Sequence, residues 1–117
     1  MTFEGALAEI RRCDGVSLMV IADRDGIPVT SWGRRPQDVE ELIAEYTEFL
    51  REVTTANREL QLGDLDQITV AAEQEVVLIT SIAAGYFLLV VVRRDGNPGR
   101  ARFVCRTAAF RLRGEFL

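Results

Sequence analysis

From Val76 to Val92 the chain reads VVLITSIAAGYFLLVVV, 17 residues without a charge, with Glu75 before them and Arg93-Arg94 after. A stretch like this must leave water almost completely. One way is a membrane-spanning helix, but the length sits at the lower limit for one. Thr80, Ser81 and Gly85 fall in its middle, and half of the rest is β-branched. Two strands, Glu75 to Ile82 and Tyr86 to Arg93, around a turn at Ala83-Ala84-Gly85 suit the residues better. Neither strand alternates apolar with polar. Strands of that kind lie in the middle of a sheet covered on both faces, so helices must be found for each side.

The rest of the chain supplies them. Phe3, Ala6, Leu7, Ile10 and Cys13 follow the spacing of one helical face, which predicts a helix over 3–13 capped by Thr2 and closed by Asp14-Gly15. VSLMVIA, from Val16 to Ala22, reads as a buried strand. Asp23-Arg24-Asp25-Gly26 turns the chain into a second strand, Ile27 to Trp32, whose Pro28 argues for a sheet edge. A long helix from about Gln37 to Leu60 carries an apolar stripe of Val39, Leu42, Ile43, Tyr46, Phe49, Leu50 and Val53, and Leu62-Gly63-Asp64 is expected to stop it. Gln67 to Ala72 is a third strand. Asn97 caps a last helix with Pro98 at its first position, running to about Leu112 before a short tail from Gly114 to Leu117. The order is α-β-β-α-β-β-β-α. The long helix is expected on one face and the two terminal helices on the other.

Composition narrows the chemistry. The chain has 117 residues, a net charge of −4 and no histidine, and all 14 basic residues are arginine. The missing histidine removes the commonest general base and metal ligand, and the missing lysine removes Schiff-base chemistry. Ser17, Ser31 and Ser81 therefore have no base of the serine-hydrolase kind. Asp23, Asp25, Asp64 and Asp66 are explained by turn chemistry rather than by a calcium loop. Cys13 and Cys105 read as small buried thiols, neither a disulfide nor a zinc site. No catalytic centre, metal or cofactor is expected. The acidic balance argues against nucleic acid, and the N-terminal residues do not read as a signal peptide, so a cytoplasmic location is the expectation.

Four pieces together resemble the Roadblock / dynein light-chain family. They are the VSLMVIAD–RDGIPVTS hairpin, the helix VEELIAEYTEFLREV, the three-strand run QITVAAEQEVVLITSIAAGYFLLVVV, and the Asn97-Pro98-Gly99 entry into an arginine-bearing helix. The resemblance spans nearly the whole chain. It implies a single domain over 1–117, an α+β fold of profilin-like shape with a five-stranded antiparallel sheet between helices. It also implies homo- or heterodimers with itself or a related Roadblock-like subunit, joined through the third strand and the long helix. For bacterial and archaeal members it implies regulation of Ras-like small GTPases. A chain without its own base would assist hydrolysis by positioning the GTPase's groups, or with an arginine such as Arg34 or Arg35. A sensory module of profilin- or PAS-like shape, holding a small ligand between sheet and helix, and a purely structural dynein-type light chain are the other readings.

The residues themselves suggest where partners would bind. At 100° per residue, Glu41, Glu45, Glu48, Glu52 and Glu59 fall on one ribbon of the long helix, either a solvated face or a docking surface for a basic partner. Leu42, Phe49, Ala56 and Leu60 lie toward one margin of its apolar stripe. The third strand, with Gln67, Ile68, Thr69, Val70 and Ala71, is expected to have one edge unpaired within the chain. A twofold axis there would join two such strands and set the long helices side by side. On the last helix, Phe103 and Phe110 point away from the small-residue stripe with Arg102, Arg106 and Arg113 beside them. Either the first helix covers this pair or a partner protein does.

Overall fold

The computed structural model describes residues 3–33 and 36–116, the side chains of Pro36 and Gln37 excepted. Thr2, Arg34, Arg35 and Leu117, and with them the expected Thr2 cap and the two candidate arginines, lie outside the described residues. The order is α1 (Phe3–Arg11), β1 (Val16–Ala22), β2 (Pro28–Trp32), α2 (Pro36–Glu59), β3 (Gln67–Ala71), β4 (Glu75–Ala83), β5 (Tyr86–Arg93) and α3 (Pro98–Phe116). The five strands form one antiparallel sheet in the order β2-β1-β5-β4-β3. β5 is thus the central strand, and β1 and β4 flank it. All three are buried on both faces, as their unbroken apolar runs demand.

Alternation along these strands divides the core in two. Met19, Ile21, Val76, Leu78, Leu88 and Val90 face α1 and α3, meeting Leu7, Ile10, Ala101, Ala108 and Leu112. Leu18, Val20, Val77, Ile79, Leu89 and Val91 face α2, meeting Val39 and Ile43. The small residues Ala101, Cys105 and Ala108 let α3 lie close on the sheet. Cys13 and Cys105 are free thiols inside the first of these cores. Burial pushes the Cys105 thiol up to about 12.

Two helix ends differ from expectation. α2 ends at Glu59, close to the expected Leu60, but the residue that closes it is Gln61 rather than Gly63. Leu62 N–H donates to Asn57 O at 2.9 Å and Gln61 N–H to Arg58 O at 3.1 Å, with Gln61 at φ +57°. This is a Schellman closure in which glutamine takes the left-handed position usually held by glycine. α3 does not stop before Gly114. It continues to Phe116, whose ring lies 4.6 Å from that of Tyr86 and 6.1 Å from that of Phe3. Those contacts offset the cost of a glycine in a helix, about 1 kcal/mol.

Thr47 is the one buried polar group without a partner among the described residues. It packs where Gly26 of the β1–β2 turn comes down on α2: a Cβ on Gly26 would stand 2.7 Å from Thr47 Oγ1. Replacing the hydroxyl by a methyl removes an unpaired buried dipole at nearly constant shape. Thr47→Val should therefore raise stability by about 1 kcal/mol. Thermal unfolding checks this, and a lower melting temperature would mean that the hydroxyl has a partner in solution.

Candidate functional site

The β3 edge of the sheet carries the candidate interface. Among the described residues β3 pairs with β4 alone. Ser81 N–H donates to Asp66 O and Ala72 N–H to Glu75 O, which fixes the alternation of the ladder. Asp66, Ile68, Val70 and Ala72 turn their amide groups toward β4. Gln67, Thr69 and Ala71 therefore turn theirs to the open edge. On the α2 side of β3, Ile68 and Val70 are only half-buried, resting against the second core.

α2 leaves the same side of the molecule uncovered. Its buried side chains, Val39, Ile43 and Thr47, all lie in the first half of the helix. Beyond Leu50 no residue of α2 is buried, so its last turns project past the core. The helix is also oriented about its own axis by identifiable contacts. Thr47 meets Gly26, and Arg51 reaches Asp25 at 3.8 Å, so one margin faces the β1–β2 turn and hence the β2 edge. At 100° per residue, Leu42, Phe49, Val53 and Ala56 occupy the opposite margin, toward β3. Phe49 is 39% exposed and Leu60 67% exposed, and Leu62 beside it is exposed too. Leu42 is the exception in the expected set: it is half-buried against the second core and offers less surface.

Glu41, Glu45, Glu48 and Glu52 project from the back of α2 and are exposed, as is Glu59. Glu48 lies 3.5 Å from Arg51, an exposed pair of small energetic weight. Asp23, by contrast, is a turn residue: its Oδ1 accepts from Asp25 N–H at 2.9 Å and Ile27 N–H at 3.0 Å. Asn97 Oδ1 accepts from Arg100 N–H at 3.1 Å, the expected cap of α3. Among the described residues no group of three acidic or cysteine side chains could hold a metal ion, and no helix is long and apolar enough to cross a membrane.

Phe103 and Phe110 stand on the outside of α3, 64% and 69% exposed. α1 does not cover them. It packs along another side of α3, with Glu9 at 3.6 Å from Arg111 and Phe3 against Phe116. The two faces of the sheet thus carry helices of opposite charge. α2 has seven carboxylates and two arginines, and α3 has five arginines and one carboxylate. The sequence reading missed this opposition because it took each helix separately. Counting charge per helix would have revealed it.

Comparison with known proteins agrees with this architecture. The family model of the Roadblock/LC7 domain matches residues 2–92. The chain belongs to the Roadblock/LC7 family. No curated protein gives a significant match by sequence. A Roadblock/LC7 domain from Streptomyces avermitilis superposes with a TM-score of 0.83 at 16% identity, over 96% of this chain and 92% of that one. The gliding protein MglB of Thermus thermophilus gives 0.83 at 15% identity, over 96% and 86%. MglC of Myxococcus xanthus gives 0.67 at 25% identity, over 99% and 100%. The family match ends at Val92, before α3.

Proposed function

We propose that the protein is a non-enzymatic, dimeric regulator or scaffold that binds a Ras-like small GTPase. The observation that carries the dimer is the coincidence, on one side of the molecule, of an open strand edge and an uncovered apolar helix margin. Thr69 near the twofold axis would pair β3 with its mate, and Phe49, Val53, Ala56 and Leu60 would meet across the seam. A solved MglB with tetrameric arrangement, similar to this chain at 16% identity, supports the reading. A related Roadblock-like subunit could take the second place by the same edge.

The GTPase reading rests on the family and on the Glu ribbon. Once the seam is closed, Glu41, Glu45, Glu48 and Glu52 of both subunits lie side by side as an acidic surface suited to a basic patch. A hydrolysis effect would come from positioning the GTPase's own groups, since the chain supplies no base. The ligand-binding alternative is less favoured: the space between the sheet and α2 is filled by the second core.

Ras-like GTPases encoded beside this chain, loaded with GDP or a non-hydrolysable GTP analogue, provide the test. Titration against the immobilised dimer should show nucleotide-dependent binding that weakens with salt. Glu45→Arg with Glu48→Arg should weaken it roughly tenfold or more, a loss of about 1.4 kcal/mol. Binding unchanged by the charge reversal, or no binding of any of them, would overturn the reading.

A further inference from the structure

We infer that the outer face of α3 is a second docking site, for a short acidic amphipathic helix of a partner protein. The site lies on the opposite face of the sheet from the Glu ribbon and does not depend on the GTPase reading.

Phe103 and Phe110 are seven residues apart, two helical turns, and so lie about 10 Å from each other along one line of α3. Both exposures exceed 60%, an unusual cost for two phenylalanines in a folded domain. Beside them runs a groove of about 600 Å³ between α3 and the β3–β4 sheet, with Asp66, Ser81, Arg106 and Thr107 in its walls. Arg106 and Arg113 line it and Arg102 stands beside it on α3, each with a contact to the sheet side. Arg106 Nη2 lies 3.3 Å from Asp66 Oδ2, and Arg102 Nε donates to Gln67 Oε1 at 3.3 Å. Arg113 Nε donates to Ile82 O at 3.3 Å, while its guanidinium stacks 5.4 Å from the Phe110 ring centre. A guanidinium has five N–H donors, and these contacts use only one or two of them. The remaining donors can meet a carboxylate in the two-pronged geometry a guanidinium favours.

Charge complementarity selects the occupant. α3 is a basic island, five arginines to one carboxylate, on a chain of net charge −4. A helix with apolar side chains two turns apart would cover Phe103 and Phe110 and fill the groove, in the helix-in-groove manner. Carboxylates flanking those side chains would meet Arg102, Arg106 and Arg113. An anionic membrane fits less well, because the surface is a concave groove that a helix fills and a flat bilayer would leave open. A second copy would bring the charge of its Glu ribbon, but the apolar margin beside that ribbon is taken up in the proposed seam, which leaves Phe103 and Phe110 uncovered.

The test uses a fluorescein-labelled helical peptide of alanine background with two leucines seven apart and glutamates flanking them, titrated against the full chain by anisotropy. It should bind at least tenfold more tightly than the same peptide with lysine for glutamate, or with serine for leucine. Phe103→Ala with Phe110→Ala, and separately Arg106→Gln with Arg113→Gln, should each weaken binding tenfold or more. All four side chains are exposed, so melting temperature and dimer mass should stay as in the parent; these readouts separate failure of this site from failure of the seam. Equal binding of the acidic and basic peptides, or binding unchanged by the double variants, overturns the proposal. So does sedimentation with phosphatidylserine vesicles in place of peptide binding. Assembly beyond the dimer that Phe103→Ala with Phe110→Ala abolishes would assign the face to a second copy and likewise overturn it.

Discussion

Replacing Phe49 by aspartate is expected to leave a monomer of 13.1 kDa where the parent chain runs at twice that mass. In a single subunit Phe49 is 39% exposed, and its ring makes an edge contact with Tyr46 at 6.3 Å. An aspartate there stays hydrated, so folding of the monomer loses little. In the proposed dimer the same carboxylate would be pressed against its symmetry mate, dehydrated and without a cation. A penalty of about 4 kcal/mol on association is the modest end for such a burial, and it weakens the dimer roughly a thousandfold. Light scattering at about 20 µM resolves the two masses, since a micromolar dimer would be mostly associated there. Thr69→Pro probes the strand half of the seam independently. It removes an amide that points to the open edge, so the β3–β4 hydrogen bonds survive while pairing with another chain is blocked. A parent chain already monomeric, or both variants still dimeric, would exclude this interface.

The arrangement of the sheet was legible in the sequence for a simple reason. Strands that must be dry on both faces cannot sit at an edge, so the VVLITSIAAGYFLLVVV run placed itself. Pro28 marked β2 as an edge just as directly, and it stands at the start of the strand at one end of the sheet. The free edge of β3 followed from its shortness and weak apolarity. Contacts made by residues far apart in the chain were not legible. Nothing local distinguishes Gln61 from its neighbours as the left-handed closure of α2. Gly114 reads as a helix end until Tyr86 and Phe3 are seen waiting for Phe116. Of the candidate partner residues, the Glu ribbon follows from periodicity alone. The exposure of Phe103 and Phe110 depends on where α1 comes to rest, which no local pattern specifies.

Glycine 96 is where this limit has its largest energetic consequence. The sequence presents Asp14-Gly15 as a helix end and Asp95-Gly96 as a turn before α3. In the structure the two loops cross in contact. Asn97 N–H donates to Asp14 O at 2.8 Å, Arg93 N–H donates to Gly15 O at 2.8 Å, and Gly96 N–H closes back on Arg93 O at 3.0 Å. The backbones approach so closely that a Cβ on Gly96 would strike Asp14 O and stand 2.6 Å from Gly15 Cα. Neither neighbour is the end of a flexible side chain. Gly15 is itself at φ +91°, and a Cβ there would meet Gly96 Cα at 2.8 Å, so it cannot yield by exchanging roles. Gly96→Ala must therefore separate α1–β1 from β5–α3 and break at least one of those hydrogen bonds. A loss of about 3 kcal/mol is expected, near the upper end for a single substitution, with a melting temperature lower by about 12 °C. Gly114→Ala supplies the contrast. That glycine lies inside α3 with nothing within 4 Å of its missing Cβ, so alanine should raise stability by about 0.5 kcal/mol. Calorimetry on the two variants separates the explanations: a Gly96→Ala protein melting within a degree or two of the parent would mean that the crossing loops are not in contact in solution.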